Sequence, residues 1–229
     1  MIEQTLIFRI SCFKPGVIDP PRFQDFPVRV NASMSILDAL ETIRLEQDAT
    51  LMYRHSCHHS CCGTCACKIN GVEKLTCITN VLKLQTEIIT LEPLERFHRK
   101  GDLVVEMQDF YTDIAEDWAY IRESDGVQSQ IMPEGIKRFT RLENCIECGS
   151  CVSACPVVQT DKPFMGPAAM AAIQNELLKS PEKRAELLTL AGGERGERWC
   201  ERALDCIKVC PTEVYPARHI ADLRRALGK

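Results

Sequence analysis

Short apolar stretches alternate with turn residues over the first hundred positions, a pattern that is typical of β-strands. Two of these stretches flank Asn70-Gly71, a dipeptide that favours a tight hairpin turn. A Pro- and Gly-containing segment over residues 15–27 is predicted to be a connection. The predicted strands cover residues 6–13, 28–30, 66–69, 74–78 and 87–91.

Helical periodicity occurs once among these strands and dominates the second half of the chain. Apolar residues at positions 36, 37, 40 and 43 lie on one helix face, and Ser33 or Ser35 precedes them as a candidate cap. Strand patterns end near Asp109. Later helices are predicted after Gly166-Pro167, after Ser180-Pro181 and after Pro216.

Composition and charge narrow the class of protein. The chain has 229 residues, of which 45% are hydrophobic and 26% charged, as in globular proteins of one large or two small domains. The net charge of −4 gives no reason to expect nucleic acid as a partner. No apolar run reaches the roughly 18 residues of a membrane span, and the N-terminal residues lack the features of an export signal. We therefore expect a cytoplasmic protein.

The cysteine content departs from the average. There are fourteen cysteines, and all but Cys12 fall into three close groups. Disulfide frameworks are typical of small secreted domains, whereas close groups in a cytosolic protein are typical of metal sites. The groups are Cys57, Cys61, Cys62, Cys65, Cys67 and Cys77; Cys145, Cys148, Cys151 and Cys155; and Cys200, Cys206 and Cys210.

The middle group is an uninterrupted run, C-x2-C-x2-C-x3-C-P, over residues 145–156. A structural zinc site uses two separate Cys-x-x-Cys pairs or histidine partners. The uninterrupted run is instead the one that bacterial ferredoxins use for cubane iron–sulfur clusters, in which the fourth cysteine binds the neighbouring cluster. The run therefore predicts two cubane-type clusters.

The last group supplies the rest of the ligands, with one missing. Counting back from Cys210, the same pattern places a cysteine at position 203, where the chain has alanine. Three thiolates support a [3Fe–4S] cluster, although water or a carboxylate (Glu201 or Asp205) is an alternative ligand that would keep a fourth iron. The predicted sets are Cys145, Cys148, Cys151 and Cys210 for [4Fe–4S], and Cys155, Cys200 and Cys206 for [3Fe–4S].

The first group has the plant-type spacing C-x4-C-x2-C with a later cysteine, which predicts a [2Fe–2S] cluster. Gly63 would let the loop backbone approach the sulfides of that cluster. Cys61 competes with Cys62 for a place in the pattern, but a set containing Cys61 fits no cluster run. The predicted ligands are Cys57, Cys62, Cys65 and Cys77.

The remaining candidates in and near this loop receive no role. His59 has the spacing of a Rieske ligand, but no second histidine matches, so it is interpreted as a polar loop residue together with His55 and His58. Cys12, Cys61 and Cys67 are interpreted as packed thiols.

Three such clusters in one chain predict a relay for single electrons, because each accepts one electron with little rearrangement of its ligands. The sequence has no dinucleotide fingerprint, no phosphate-binding loop and no acid/base constellation, so no catalytic residue is predicted. The predicted fold class is α+β. A β-grasp plant-type ferredoxin domain is expected over residues 1–105, and an all-α bacterial-ferredoxin-like domain over residues 106–229.

Further stretches accompany the cysteine runs in order along nearly the whole chain. They are Gly63-Thr64, Ile69-Asn70-Gly71, Leu75-Thr76, Asp102-Leu103-Val104-Val105, Gly166-Pro167-Ala168-Ala169 and Pro211. With these motifs the chain resembles the iron–sulfur subunits of the succinate dehydrogenase/fumarate reductase family.

The resemblance implies a set of partners and cofactors. In that family the subunit docks on a flavoprotein with covalent FAD, which interconverts succinate and fumarate. Electrons pass through [2Fe–2S], [4Fe–4S] and [3Fe–4S] clusters to a quinone near a haem-bearing membrane anchor. The resemblance implies the same cluster ligands as the spacing, and a peripheral position on the cytoplasmic face of the inner membrane.

A stretch of four residues and one single position differ from the family members that reduce ubiquinone. Those members carry aromatic residues after the equivalent of Pro156 and a histidine after the equivalent of Cys200. Here residues 157–160 read VVQT and position 201 is glutamate, and residues 157–169 look more like the fumarate reductase branch. The same relay in a soluble flavoprotein complex, with a thiol/disulfide acceptor or donor or another substrate, therefore stays open as the alternative, as does the direction of the reaction.

Overall fold

The computed structural model describes residues 4–115, 118 and 144–229. The chain forms two compact units that are not continuous in sequence. One consists of Met1–Met107 and Ile146–Ser153, and the other of Gln108–Cys145 and Ala154–Lys229. A mixed sheet belongs to the first unit, and most of the helices belong to the second.

The sheet of the first unit has five strands in the order β2-β1-β5-β3-β4. Strand β1 pairs with β2 in antiparallel and with β5 in parallel orientation, and β3 pairs with β4 and β5 in antiparallel orientation. The strands are β1 (Gln4–Lys14), β2 (Ile18–Val30), β3 (Ala66–Ile69), β4 (Val72–Leu75) and β5 (Ile88–Glu92).

Strand β2 corrects one prediction. Residues 18–27, expected to be a connection, continue the strand that was predicted only from residue 28. Their three prolines lack the N–H that a central strand needs, but β2 lies at the edge of the sheet, where one side of the strand has no partner. The hairpin around Asn70-Gly71 is confirmed, although β4 ends at Leu75 rather than at residue 78.

Helix α1 (Ile36–Glu46) covers one face of the sheet. The Ser35 hydroxyl accepts a hydrogen bond from the Asp38 N–H, and the Asp38 carboxylate accepts one from the Ser35 N–H, so Ser35 rather than Ser33 is the cap. The predicted apolar face is buried: Ile36 and Leu40 pack with strand residues such as Phe8 in one core. This core supports the loop that joins α1 to β3, which carries the first cysteine group.

The second unit is helical over its described residues, as predicted. Its predicted helices are present, with the middle one preceded by a short turn at Pro181–Lys183. The part of this prediction that falls on residues 116–117 and 119–143 lies outside the described residues. The remaining helices are α2 (Gln108–Tyr111), α3 (Ser150–Ser153, in the first unit), α4 (Gly166–Lys179), α5 (Arg184–Gly192), α6 (Asp205–Lys208) and α7 (Pro216–Ala226).

The predicted α+β class is therefore confirmed: a mixed sheet with a helix and a largely helical second unit. In the ranges that the structure describes, no helix is both long and apolar enough to span a membrane.

Candidate iron–sulfur cluster sites

The first candidate site is the irregular loop between α1 and β3. Its backbone enters the left-handed region at His58, Ser60 and Gly63, with φ of 61°, 64° and 67°. This conformation is unfavourable for residues with a side chain, so the surrounding structure has to hold it in place. It turns the backbone so that several N–H groups point towards the sulfur of Cys57; the His59 nitrogen lies 3.5 Å from that sulfur.

These N–H groups stabilise a thiolate at Cys57. The hydrogen bond from the His59 N–H is the largest cause, and others come from the Cys62 thiol and from the N–H groups of Cys61 and Cys62. Together they lower the pKa of Cys57 to about 6, against the effect of burial. Because the thiolate is the form that binds metal, the loop holds Cys57 ready as a ligand.

The four predicted ligands of the first site come together as two pairs. The Cys62 thiol donates to the sulfur of Cys57, and the Cys77 thiol donates to the sulfur of Cys65. Burial and then this contact with Cys65 raise the pKa of Cys77 to about 11, and the charge of Cys57 also acts on it. Two neighbouring pairs of thiols match what a two-iron cluster requires, with one pair for each iron.

His59 and Cys61 lie beside Cys57, although the plant-type spacing does not require either of them. The potential ligand atoms of Cys57, His59 and Cys61 all lie within 4.8 Å of one another. Cys61 is exposed, and its sulfur lies 3.3 Å from His59 Nε2, so the interpretation of Cys61 as a packed thiol is wrong.

The interpretation is confirmed for the other two cysteines outside the runs. Cys12 and Cys67 are buried in the core beside the sheet. Burial raises the pKa of Cys12 to about 11 and raises the pKa of Cys67 well above the ordinary range of a thiol. Both therefore stay protonated at neutral pH and are poor ligands.

Gly63 has a second role that the sequence did not reveal. A side chain at this position would collide with the carbonyl oxygen of Ile146 and would lie 2.9 Å from Cβ of Cys148. Both neighbours belong to the first unit, in its segment Ile146–Ser153. The glycine thus lets the segment at Ile146 and Cys148 pack directly against the first cluster loop.

The segment around Cys148 and Cys151 is fixed by a buried polar network. Ser153, at the end of α3, donates to Glu73 of β4 at 2.8 Å and accepts from the Glu95 N–H at 2.8 Å. Ser153 and Glu73 are both buried. No sequence pattern predicted this pair, because its two members are distant in sequence and neither belongs to a motif.

Cys145 and Cys210, the other predicted ligands of this set, belong to the second unit. Cys210 accepts a hydrogen bond from the Val214 N–H, with a nitrogen–sulfur distance of 3.2 Å. Cys145 and Cys210 are both half-buried.

The third candidate site is a small cavity within the second unit. Cys155, Cys200 and Cys206 line it, and so does Ala203 at the position of the missing ligand. The backbone is left-handed on both sides of this alanine, at Arg202 and Leu204. The structure therefore brings together all three predicted ligands around one cavity.

Backbone N–H groups also point towards the sulfurs of this third site. Cys155 accepts from the N–H groups of Val157 and Val158, and Cys206 accepts from that of Ala217. Burial, and then the charges of Cys155 and Cys200, raise the pKa of Cys206 to about 12. Three thiols with amide donors around one cavity fit a cluster with negatively charged sulfurs, because the amides offset part of its charge.

The loop before Cys200 contains a buried carboxylate. The charged stretch over residues 194–198 is not uniformly solvated, because Glu197 is buried. Arg224 of α7 donates to the Glu197 carboxylate at 2.7 Å and to the carbonyl oxygen of Cys200, also at 2.7 Å. Sequence reasoning missed both residues, since charged residues in loops and on helix surfaces are usually exposed.

Comparisons with known proteins identify iron–sulfur domains in both parts of the chain. A model described as a 2Fe-2S iron-sulfur cluster binding domain matches residues 7–112, and one described as a 4Fe-4S dicluster domain matches residues 141–214. The fumarate reductase iron-sulfur subunit of Mycobacterium tuberculosis is 31% identical over 222 residues, which cover 93% of this chain and 88% of that protein. The chain belongs to the family of succinate dehydrogenase/fumarate reductase iron–sulfur subunits. The predicted family and the predicted function as an iron–sulfur subunit of an oxidoreductase are thereby confirmed.

Two further similarities are to a longer protein and to a solved structure. One subunit of the fumarate reductase (CoM/CoB) of Methanothermobacter marburgensis is 33% identical over 219 residues, which cover 94% of this chain but only 43% of that longer protein. The fold is that of a chain of the Mycobacterium smegmatis Sdh1 complex in the apo form, with a TM-score of 0.81 at 21% identity, covering 99% of this chain and 97% of that one.

Proposed function

We propose that this iron–sulfur subunit relays single electrons between the FAD of a flavoprotein subunit, which interconverts succinate and fumarate, and a quinone at a membrane anchor. The convergence of the predicted thiol ligands at two separate sites, each with backbone N–H groups pointing at its sulfurs, carries this proposal. Such sites bind redox clusters and offer no group that would activate an organic substrate. The chemistry on succinate therefore takes place on the partner subunit.

The proposed domains follow the cysteine runs. Residues 1–105 form a β-grasp plant-type ferredoxin domain, and residues 106–229 form a bacterial-ferredoxin-like domain, of which the segment Ile146–Ser153 belongs to the first compact unit. The proposed ligands are Cys57, Cys62, Cys65 and Cys77 for [2Fe–2S]; Cys145, Cys148, Cys151 and Cys210 for [4Fe–4S]; and Cys155, Cys200 and Cys206 for [3Fe–4S].

The clusters supply reversible one-electron chemistry when they are bound, and the chain sets the conditions for it. At the first site the N–H groups around Cys57 favour added negative charge, which stabilises the reduced form. At the third site Ala203 contributes no ligand, which favours three irons over four. The order [2Fe–2S], [4Fe–4S], [3Fe–4S] from flavin to quinone follows from the family resemblance.

The resemblance also supports the proposed location. An anchor with haem and quinone would hold this subunit at the cytoplasmic face of the inner membrane, in contact with the flavoprotein subunit. The curated relatives named as fumarate reductase subunits support a flavoprotein complex in which fumarate is a substrate.

A specific observation favours a second candidate function, a soluble complex with a thiol/disulfide partner instead of a quinone. Glu201 takes the place of the histidine of ubiquinone-reducing members, and it forms an ion pair with Lys162. A carboxylate engaged in this way cannot donate a hydrogen bond to a quinone oxygen. The similarity to the CoM/CoB-named relative points in the same direction.

The test is a gentle affinity purification of the subunit from its native cells, divided into membrane and soluble fractions. We expect the membrane fraction to yield covalent flavin, haem and integral membrane subunits, together with electron paramagnetic resonance (EPR) signals of three distinct clusters. Flavin without haem or integral subunits would replace the quinone-linked function by the second candidate. Absence of flavin and of a [2Fe–2S] signal would overturn both.

A further inference from the structure

The first cluster loop contains one more well-placed thiol than its pattern requires. Cys57 and Cys62 form one ligand pair, and Cys61 lies beside them. The Cys61 thiol donates to the sulfur of Cys57, and the charge of Cys62 also acts on it. Cys61 therefore lies next to Cys57, one member of the pair that would bind one iron.

The distances suit a shared iron. Two thiolates on one tetrahedral metal, with metal–sulfur bonds of about 2.3 Å, lie about 3.8 Å apart. The ligand atoms of Cys57, His59 and Cys61 all lie within 4.8 Å of one another, and among the residues that the structure describes no other group of three cysteine, histidine or acidic ligands is so compact. A small movement would bring Cys61 onto an iron beside Cys57.

The loop permits this movement. His58, His59 and Cys61 are exposed, and residues 56–62 form bends rather than helix or strand. Turning the Cys61 side chain about its Cα–Cβ bond would break no backbone ladder and would leave no apolar side chain uncovered. Cys67, by contrast, is fixed in strand β3 and buried in the core, so its thiol has no comparable freedom.

We propose that Cys61 is a reserve ligand for the iron held by Cys57 and Cys62. When either of these thiolates is lost, the Cys61 thiol releases its proton to solvent and its sulfur binds the vacated position on the iron. The cluster then keeps four thiolates and its charge. This inference rests on the proposed [2Fe–2S] cluster, because without that cluster there is no iron for Cys61 to bind.

The other iron has no such reserve. Cys65 and Cys77 form the second pair, whereas the thiol of Cys61 contacts Cys57 of the first pair. Cys65 is also buried, which keeps the exposed Cys61 away from it. Replacing Cys77 should therefore remove the cluster whether or not Cys61 is present. This difference between the two irons provides the matched control.

The experiment uses alanine variants of the subunit in its purified complex, because alanine supplies no ligand atom. The single variants are Cys57→Ala, Cys62→Ala, Cys61→Ala and Cys77→Ala, and the double variants combine Cys61→Ala with Cys57→Ala or with Cys62→Ala. Each preparation is scored by the EPR signal of the reduced [2Fe–2S] cluster and by iron and sulfide per chain. Retention of the third-cluster signal and of the flavoprotein subunit confirms that each variant is folded.

We expect the wild-type protein and Cys61→Ala to have the full signal, and Cys57→Ala and Cys62→Ala to retain most of it with shifted g-values. The signal should fall to background in Cys77→Ala and in both double variants. The inference is overturned if the single variants at 57 and 62 have no more [2Fe–2S] signal than the double variants. It is also overturned if the double variants keep the signal because His59 binds the iron. A wild-type protein without the signal would instead refute the proposed [2Fe–2S] site.

Discussion

Glu197 and Arg224 form a buried ion pair beside the backbone of Cys200, a predicted ligand of the third cluster. The Glu197 side chain is 2% exposed, and one of its oxygens lies 2.7 Å from Arg224 Nε. Its other oxygen accepts from Lys229 Nζ at 2.5 Å. The same guanidinium donates to the carbonyl oxygens of Glu197 and Cys200, so the pair fixes the backbone at the edge of the third cavity.

Loss of the charge at Glu197 should destabilise the second unit. In Glu197→Gln the Arg224 and Lys229 charges lose their partner, which costs about 2 kcal/mol, less than in a fully dry site because Lys229 retains access to water. The melting temperature of the purified complex should fall by about 4–8 °C.

The matched control for this prediction is Asp25→Asn, which breaks an ion pair of similar geometry with Arg9 on the sheet. Its side chains are 41% and 45% exposed, so the melting temperature should hardly change. Equal effects of the two substitutions would show that burial does not determine the contribution of the Glu197 pair.

Tyr53 links α1 to the first cluster loop and provides a pH-dependent prediction. Its hydroxyl donates to Glu41 at 2.5 Å and accepts from Arg44 at 3.0 Å. Burial, and then the hydrogen bond to Glu41, raise the pKa of Tyr53 from 10.0 to about 12. Between these two values the folded chain keeps a proton that the unfolded chain has lost, so stability should fall as the pH rises through this window.

The measurement is tyrosinate absorbance, taken as the difference between the wild-type protein and Tyr53→Phe. We expect one tyrosine to titrate near pH 12 in the wild-type difference curve, and the phenylalanine variant to lack the additional loss of stability. A midpoint close to the ordinary value of about 10 would contradict the contact with Glu41.

Gly63→Ala should disturb the first cluster loop more than the same change at Gly71. Both glycines have positive φ, +67° and +78°, so alanine strains the backbone at each by about 1 kcal/mol. At Gly71 no atom lies within 4 Å of the added carbon, whereas at Gly63 the Ile146 carbonyl and Cys148 stand in its place. We expect Gly63→Ala to lower the [2Fe–2S] content and Gly71→Ala to leave it intact, as measured by EPR. Similar cluster contents would refute the close approach at Gly63.

Ala203→Cys should convert the third cluster from three irons to four. Ala203 lines the same cavity as Cys155, Cys200 and Cys206, so a thiolate there would complete the ligand set. The EPR signal of the oxidised [3Fe–4S] cluster should disappear, and a second [4Fe–4S] signal should appear on reduction. Ala203→Val, which is close to cysteine in size but supplies no ligand atom, is the control and should keep three irons. An unchanged three-iron signal in Ala203→Cys would remove the missing-ligand argument.

The sequence alone predicted what depends on neighbours along the chain. Helix α1 and its cap follow from local spacing, because capping and amphipathic periodicity are satisfied within a few residues. The cysteine runs, likewise, indicate the cluster types, since the short loops between thiols are themselves the constraint. The same locality let the alanine at position 203 predict the missing ligand.

The tertiary structure decided what depends on residues far apart. Strand β2 tolerates its prolines because it lies at a sheet edge, which no local pattern encodes. Glu197 is buried because Arg224, in the last helix, reaches it, and Gly63 is required because Ile146 packs against it. Such contacts form only when distant segments meet in the folded chain. For that reason the cluster ligands could be predicted from their spacing in the sequence, whereas the residues that hold those ligands in place could not.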